Sequence, residues 1–233
     1  MSISIKKTNQ LTPKVWIRAL ATPIFLFILI FPFAGRLDYW QGWLYIVINT
    51  LLVLLTVYFL RDKPEFIAER LKPGEGMKTW DKWYYALSTP FYFIFLIVSS
   101  LDSGRFGWSG PLPVGIYIVG TIVYIAGQAI MLWAKLANNY FSSVVRIQSE
   151  RGQQVCREGP YHYMRHPGYV GGLLFGLTGP LMLGSLWGLI PAAIAAITLV
   201  VRTGLEDQTL QQELPGYIDY AKEVRYRLLP GVW

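Results

Sequence analysis

Apolar residues run through this chain in long blocks broken by short polar segments, and the block lengths set the first reading. Six stretches, 15–33, 42–60, 83–100, 114–134, 169–183 and 186–201, come close to the roughly 20 apolar residues that a membrane-spanning helix needs. They predict an all-α, polytopic integral membrane helical bundle of about six transmembrane helices. Only Gly184 and Ser185 separate the last two, which are short, so they predict a tight C-terminal helical hairpin that need not cross the whole bilayer. The connector 60–80 is charged and carries Pro64 and Pro73, as an irregular loop with a short helix would. Gly168, Gly172 and Gly176 recur every four residues and predict a smooth face for close backbone approach. Trp40, Trp43, Trp80, Trp83 and Trp108 near helix ends read as interfacial anchors.

Composition agrees. Charged residues make up 15% of the chain, against about 25% in soluble domains, and mean hydropathy is +0.36. The net charge of +7 sits between apolar blocks and not in one basic groove, so no nucleic-acid partner is expected. Counted on alternate sides of six crossings, the Lys and Arg residues fall almost entirely on one side, with only Arg36 and Arg105 on the other. The positive-inside rule then puts both termini in the cytoplasm, with segments 135–168 and 202–233 sharing that face. The chain divides into N-terminal transmembrane helices, 1–134, and a C-terminal region, 135–233. Lys6, Lys7, Lys14 and Arg18 precede the first apolar block as in a signal peptide, but no small-x-small cleavage site follows, so a retained first helix is expected. The first four helices are expected to carry almost no buried charge, which argues against transport chemistry. Cys156, the single cysteine, excludes an intrachain disulfide.

Two polar stretches carry candidate chemistry. In the first, Gly159 to Tyr169, Pro167 suits the first turn of a helix and places Arg165 and His166 at its N-terminus, where free N–H groups favour an anion. Tyr161, Tyr163 and Tyr169 add flat faces for an adenine ring or a sulfonium. The bland alternative is an aromatic, basic interfacial turn. His162 and His166 are spaced like a metal pair, but Pro167 interrupts the helix and no third ligand lies nearby, so no metal is expected. In the second stretch, Arg202 and Glu206 share a helix face at i, i+4, where an arginine fork can meet a carboxylate or phosphate. A snorkelling headgroup arginine is the competing reading. Downstream, 214–230 reads as a turn, a short amphipathic helix and a basic tail containing Arg225 and Arg227, either a lid or an anchor.

Taken together, Gly-Pro-Tyr-x-Tyr-x-Arg-His-Pro-x-Tyr at 159–169, a hairpin, Arg-x-x-x-Glu at 202–206 and Gly-x-x-x-Tyr ending at Tyr220 resemble the isoprenylcysteine carboxyl methyltransferase family and the related membrane phospholipid methyltransferases. The resemblance covers roughly 135–233. It implies an S-adenosyl-L-methionine-dependent methyltransferase whose cofactor-binding segments and active site face the cytoplasm, acting on a prenylcysteine-type carboxylate or another lipid-like, apolar small-molecule acceptor. Carried over by position, it implies that Tyr161, Arg165, His166, Pro167, Tyr169 and Glu206 bind the cofactor, and that Arg202 and Glu206 orient the acceptor as the catalytic pair. Asn138 and Asn139 take a minor part. Family members commonly carry two adjacent glutamates where this chain has Glu206-Asp207, so Asp207 receives less weight. An NADPH-dependent sterol-type reductase and a non-catalytic membrane scaffold are the alternatives.

Overall fold

The computed structural model describes residues 13–63 and 74–233, with side chains from residue 20 onward. Lys6, Lys7, Lys14, Arg18 and residues 64–73 of the 60–80 connector lie outside the described side chains. The described residues form an all-helical bundle: α1 (Pro13–Ala34), α2 (Trp40–Leu60), α3 (Thr79–Ser99), α4 (Val114–Ala137), α5 (Pro167–Met182), α6 (Leu189–Glu213) and α7 (Tyr217–Glu223). Four spans, Trp40–Leu60, Thr79–Phe106, Val114–Ala137 and Leu189–Glu213, are long and apolar enough to cross a membrane. The apolar part of α1 and the whole of α5 are shorter, and α5, at 16 residues, reaches only about 24 Å. Large apolar side chains such as Ile24, Leu51, Val119, Ile122 and Ile197 stay exposed on the outer faces, as lipid contact requires.

The second arm of the hairpin differs from the sequence reading. It does not stop at residue 201 but continues to Glu213, with Arg202, Thr203, Asp207 and Thr209 buried along it. Hydropathy loses the helix where its buried face turns polar, while the backbone continues. The helix crossing also differs. Of the 168, 172 and 176 stripe, Gly168 faces the Phe141 ring, Gly172 faces Leu199, and Gly176 has open space around it. Backbones meet instead at Gly127 and Gly171, where a Cβ on Gly171 would lie 2.5 Å from the Gly127 carbonyl oxygen. This crossing locks α4 against α5 and so fixes where α5 begins.

One end of the bundle is closed by polar contacts. After α3 the chain makes a π-helical turn, Ser100–Phe106, and Asp102 is fully buried within it. Its carboxylate accepts the Ser109 N–H (2.7 Å), the Ser109 hydroxyl and the Ser185 hydroxyl (2.6 Å). Tyr39 donates to the Leu183 carbonyl at 2.5 Å. The hairpin turn between α5 and α6 is thereby tied to the α1–α2 and α3–α4 loops. Two buried acids thus flank the third apolar stretch of the sequence reading, Asp81 in the first turn of α3 and Asp102 just beyond its end. Both acids sit near a helix end, where their pairing partners come from elsewhere in the chain. At the opposite end lie the 138–166 segment, the C-terminal half of α6 and the tail.

Candidate functional site

Pro167 occupies the first position of α5 and His166 caps it, as the sequence predicts. The neighbouring N–H groups are not free, however. Arg165 donates its backbone N–H to the Tyr226 carbonyl and His166 donates to the Arg227 carbonyl, both at 2.9 Å. The basic tail is thus folded back as a backbone partner of the two residues that precede the helix.

The same tail supplies a side chain to a buried hub. Asp207 has no exposed surface, and its carboxylate accepts Arg165 Nε (2.7 Å) and Nη2 (3.0 Å), Arg227 Nε (2.9 Å), Gln211 Nε2 (2.8 Å) and the Tyr217 hydroxyl (3.0 Å), with His166 Nε2 at 3.2 Å. Arg165 also donates Nη1 to the carbonyls of Val224 and Arg225. Burial works against the Arg165 charge, but the hydrogen-bonded Asp207 carboxylate more than offsets it and holds the guanidinium above its ordinary value. The position given least weight in the sequence is therefore the hub that gathers α5, α6, α7 and the tail. Arg165 is committed to that hub and not left open for a ligand.

A cavity opens beside the hub, about 780 Å³ including its mouth. Its lining includes His166, Tyr169, Glu206 and Tyr217 together with Asn138, Tyr140 to Ser142, Val144 to Arg146 and Gln153 to Cys156. Tyr161 and Tyr220 line it as well. Tyr161, Arg165, His166, Tyr169 and Glu206 from the proposed cofactor set all line this cavity. Pro167 does not: it is buried in the first turn of α5 and acts through the backbone. Tyr163 and His162 are exposed and pack on each other, so Tyr163 adds no face to the cavity. Among the described residues no group of acids, His and Cys is arranged to hold a metal.

The tyrosines bring hydrogen bonds, not charge. Burial pushes the hydroxyls of Tyr161, Tyr217 and Tyr220 above the ordinary phenol range, and for Tyr217 the Asp207 carboxylate adds to it. Tyr169 donates its hydroxyl to Glu206, and its ring stacks on His166 at 5.7 Å. Burial likewise raises the Cys156 thiol, which lies on the wall in its protonated form.

Arg202 is adjacent to the cavity but does not line it. Its fork is taken by Asp81, with Nε to Oδ1 at 2.8 Å and Nη2 to Oδ2 at 3.1 Å, and Nη2 also donates to the Ser143 carbonyl at 2.8 Å. Its plane lies near the rings of Tyr84 (4.6 Å), Tyr85 and Tyr169 (both 5.3 Å). Sequence reasoning missed Asp81, because the third apolar stretch, taken from 83, leaves Asp81 in the polar segment before it, whereas the helix begins at Thr79. It also missed Tyr217, Gln153 and Gln154, for which spacing gives no signal.

The proposed residues lie inside or beside a segment with known relatives. Residues 119–212 match the model of the isoprenylcysteine carboxyl methyltransferase (ICMT) family. Proteins from Oryza sativa subsp. indica and subsp. japonica, each described as "Probable protein-S-isoprenylcysteine O-methyltransferase", are 34% identical over 84 residues, which is 36% of this chain. The chain spans 41% of the length of these curated relatives. The family that the 159–169 and 202–206 motifs resemble is thus the family whose model this integral membrane chain matches.

Proposed function

We propose that this chain is a membrane methyltransferase that uses S-adenosyl-L-methionine to methylate a prenylcysteine-type carboxylate or another lipid-like, apolar acceptor. One observation carries the reading: Tyr161, His166, Tyr169 and Glu206 converge on one cavity at the end of lipid-exposed helices. The lining suits the cofactor. Aromatic faces of Phe141, Tyr161 and Tyr169 match a nucleoside, Asn138, Gln153 and Gln154 offer amide hydrogen bonds, and the Glu206 carboxylate matches ribose hydroxyls or an ammonium group. The bound cofactor supplies an electrophilic methyl group on a sulfonium.

The residues of the chain then have separate tasks. Tyr169 fixes the Glu206 carboxylate at the cavity wall. Asp207, through Arg165 and Arg227, holds the start of α5 and the tail together around the cavity. No residue is asked to take a proton from a carboxylate acceptor, so alignment of donor and acceptor is the main contribution; effective molarities for such alignment reach on the order of 10⁵ M or more. Arg202 acts beside the cavity, neutralised by Asp81, and not as an open fork. The bilayer delivers the apolar acceptor, and both termini and the cavity face the cytoplasm.

The test is a titration of detergent-solubilised protein with S-adenosylmethionine and S-adenosylhomocysteine, with NADPH in parallel. Saturable binding of the first two, lost in His166→Ala, is the expected result. Binding of NADPH alone overturns the proposal in favour of a reductase, and binding of none of the three in a folded sample favours a scaffold.

A further inference from the structure

Asp81 lies in the first turn of α3, outside the segment that matches the family, and is fully buried. Besides both bonds to Arg202, its Oδ2 accepts the Val145 N–H at 2.7 Å. Lys78 donates its N–H to the Val145 carbonyl at 3.2 Å, and the Tyr85 hydroxyl donates to the Ser143 carbonyl that Arg202 also binds. The start of α3 therefore holds residues 143–145, and Val144 and Val145 line the cavity.

We propose that Asp81 is a positioning residue of the site, and this rests on the functional reading above. It acts through Arg202 in two ways. It commits the guanidinium to Asp81 and Ser143, so that the plane of Arg202 lies near Tyr169, and Tyr169 in turn holds Glu206. It also matches the Arg202 charge, so that Glu206, one helical turn away, presents its own charge to the cavity. Fold stability is a weaker explanation for the pair, because a buried ion pair is often no more stabilising than apolar side chains of equal volume. Without the Asp81 charge, Arg202 releases the Ser143 carbonyl and leaves the Tyr169 ring, so that the 143–145 segment shifts and the acceptor loses its alignment with a cofactor that the rest of the lining still holds.

The experiment compares wild type, Asp81→Asn, Asp81→Glu, Arg202→Gln and the double variant Asp81→Asn/Arg202→Gln. Three quantities are measured: the Kd of S-adenosylhomocysteine, and kcat and KM for an S-farnesylated cysteine carboxylate probe. In Asp81→Asn, kcat falls at least tenfold while the Kd stays within threefold, and Asp81→Glu recovers at least threefold of the loss. The double variant is no more than threefold slower than Arg202→Gln alone. An Asp81→Asn enzyme with kcat within threefold of wild type overturns the proposal, as does a Kd that weakens in step with kcat. If Asp81→Asn shows no cooperative melting, Asp81→Glu and Tyr85→Phe are read by the same split, and unchanged kcat in both overturns it. A folded wild-type protein that neither binds S-adenosylhomocysteine nor methylates the probe overturns the functional reading and this one with it. Wild-type turnover beside an unaffected Asp81 variant overturns only this one.

Discussion

Asp207→Asn removes one charge from the hub and almost no volume, which makes it a clean perturbation. Asparagine keeps one oxygen, but its amide nitrogen then faces donors that a carboxylate oxygen accepts. Arg165, with 6% of its side chain exposed, loses its counter-charge without gaining water. Arg227, at 34%, recovers solvation and limits the damage. Breaking a buried pair costs about 3–5 kcal/mol, and the Arg227 contribution places this case near the lower figure. The cost is local, because Asp207 joins the tail and the start of α5 but is far along α6 from the Asp102 cluster. Hydrogen exchange in micelles, followed for the amides of Arg165 and His166, reads it directly, since those amides bond to Tyr226 and Arg227. About 3 kcal/mol of lost local stability corresponds to exchange faster by roughly a hundredfold. Arg227→Gln is the control, with less than a tenfold effect. If Asp207→Asn accelerates exchange at these two amides by less than tenfold, the hub is not what holds the tail, and the reasoning fails.

Other substitutions separate the two ends of the bundle. Gly171→Ala pushes α5 off α4 and destabilises by about 1–3 kcal/mol, read as a lower Tm in detergent; an unchanged Tm contradicts the close crossing. Asp102→Ala strands three donors and costs about 1–3 kcal/mol, while binding of S-adenosylhomocysteine by the folded fraction is unaltered; loss of that binding would show that the two ends are coupled. Glu206→Gln, measured by turnover of a prenylcysteine probe, lowers kcat/KM at least tenfold, and full activity removes Glu206 from the site. The thiolate is the reactive form of Cys156 and partial burial raises its pKa, so alkylation stays slow at neutral pH and accelerates only above the ordinary thiol range; a rate already at plateau near pH 7 contradicts the half-buried position.

The long apolar blocks made the helices legible, and the local 159–169 motif led to the candidate cavity, which Tyr161, Arg165, His166 and Tyr169 line. What stayed hidden depends on contacts far apart in sequence. Asp81 meets Arg202 across 121 positions, and Asp207 gains its partners from α5, α7 and the tail. A hydropathy window ended α6 at 201 because Arg202, Glu206 and Asp207 are polar, although burial and pairing carry the helix on to Glu213. The stripe of glycines pointed to α5 correctly but to the wrong rung, since which face meets α4 is decided by Gly127, outside the stripe.

The backbone pairing of Arg165 and His166 with the tail also sets an order of assembly. These residues are synthesised about sixty positions before Tyr226 and Arg227, so at roughly 5–20 residues per second they wait on the order of 3–12 s for their partners. During that interval Asp207 can already meet Arg165, His166, Gln211 and Tyr217, while the place of Arg227 stays empty. A chain arrested before residue 225 therefore carries every residue that lines the cavity but lacks the backbone partners that tie down Arg165 and His166.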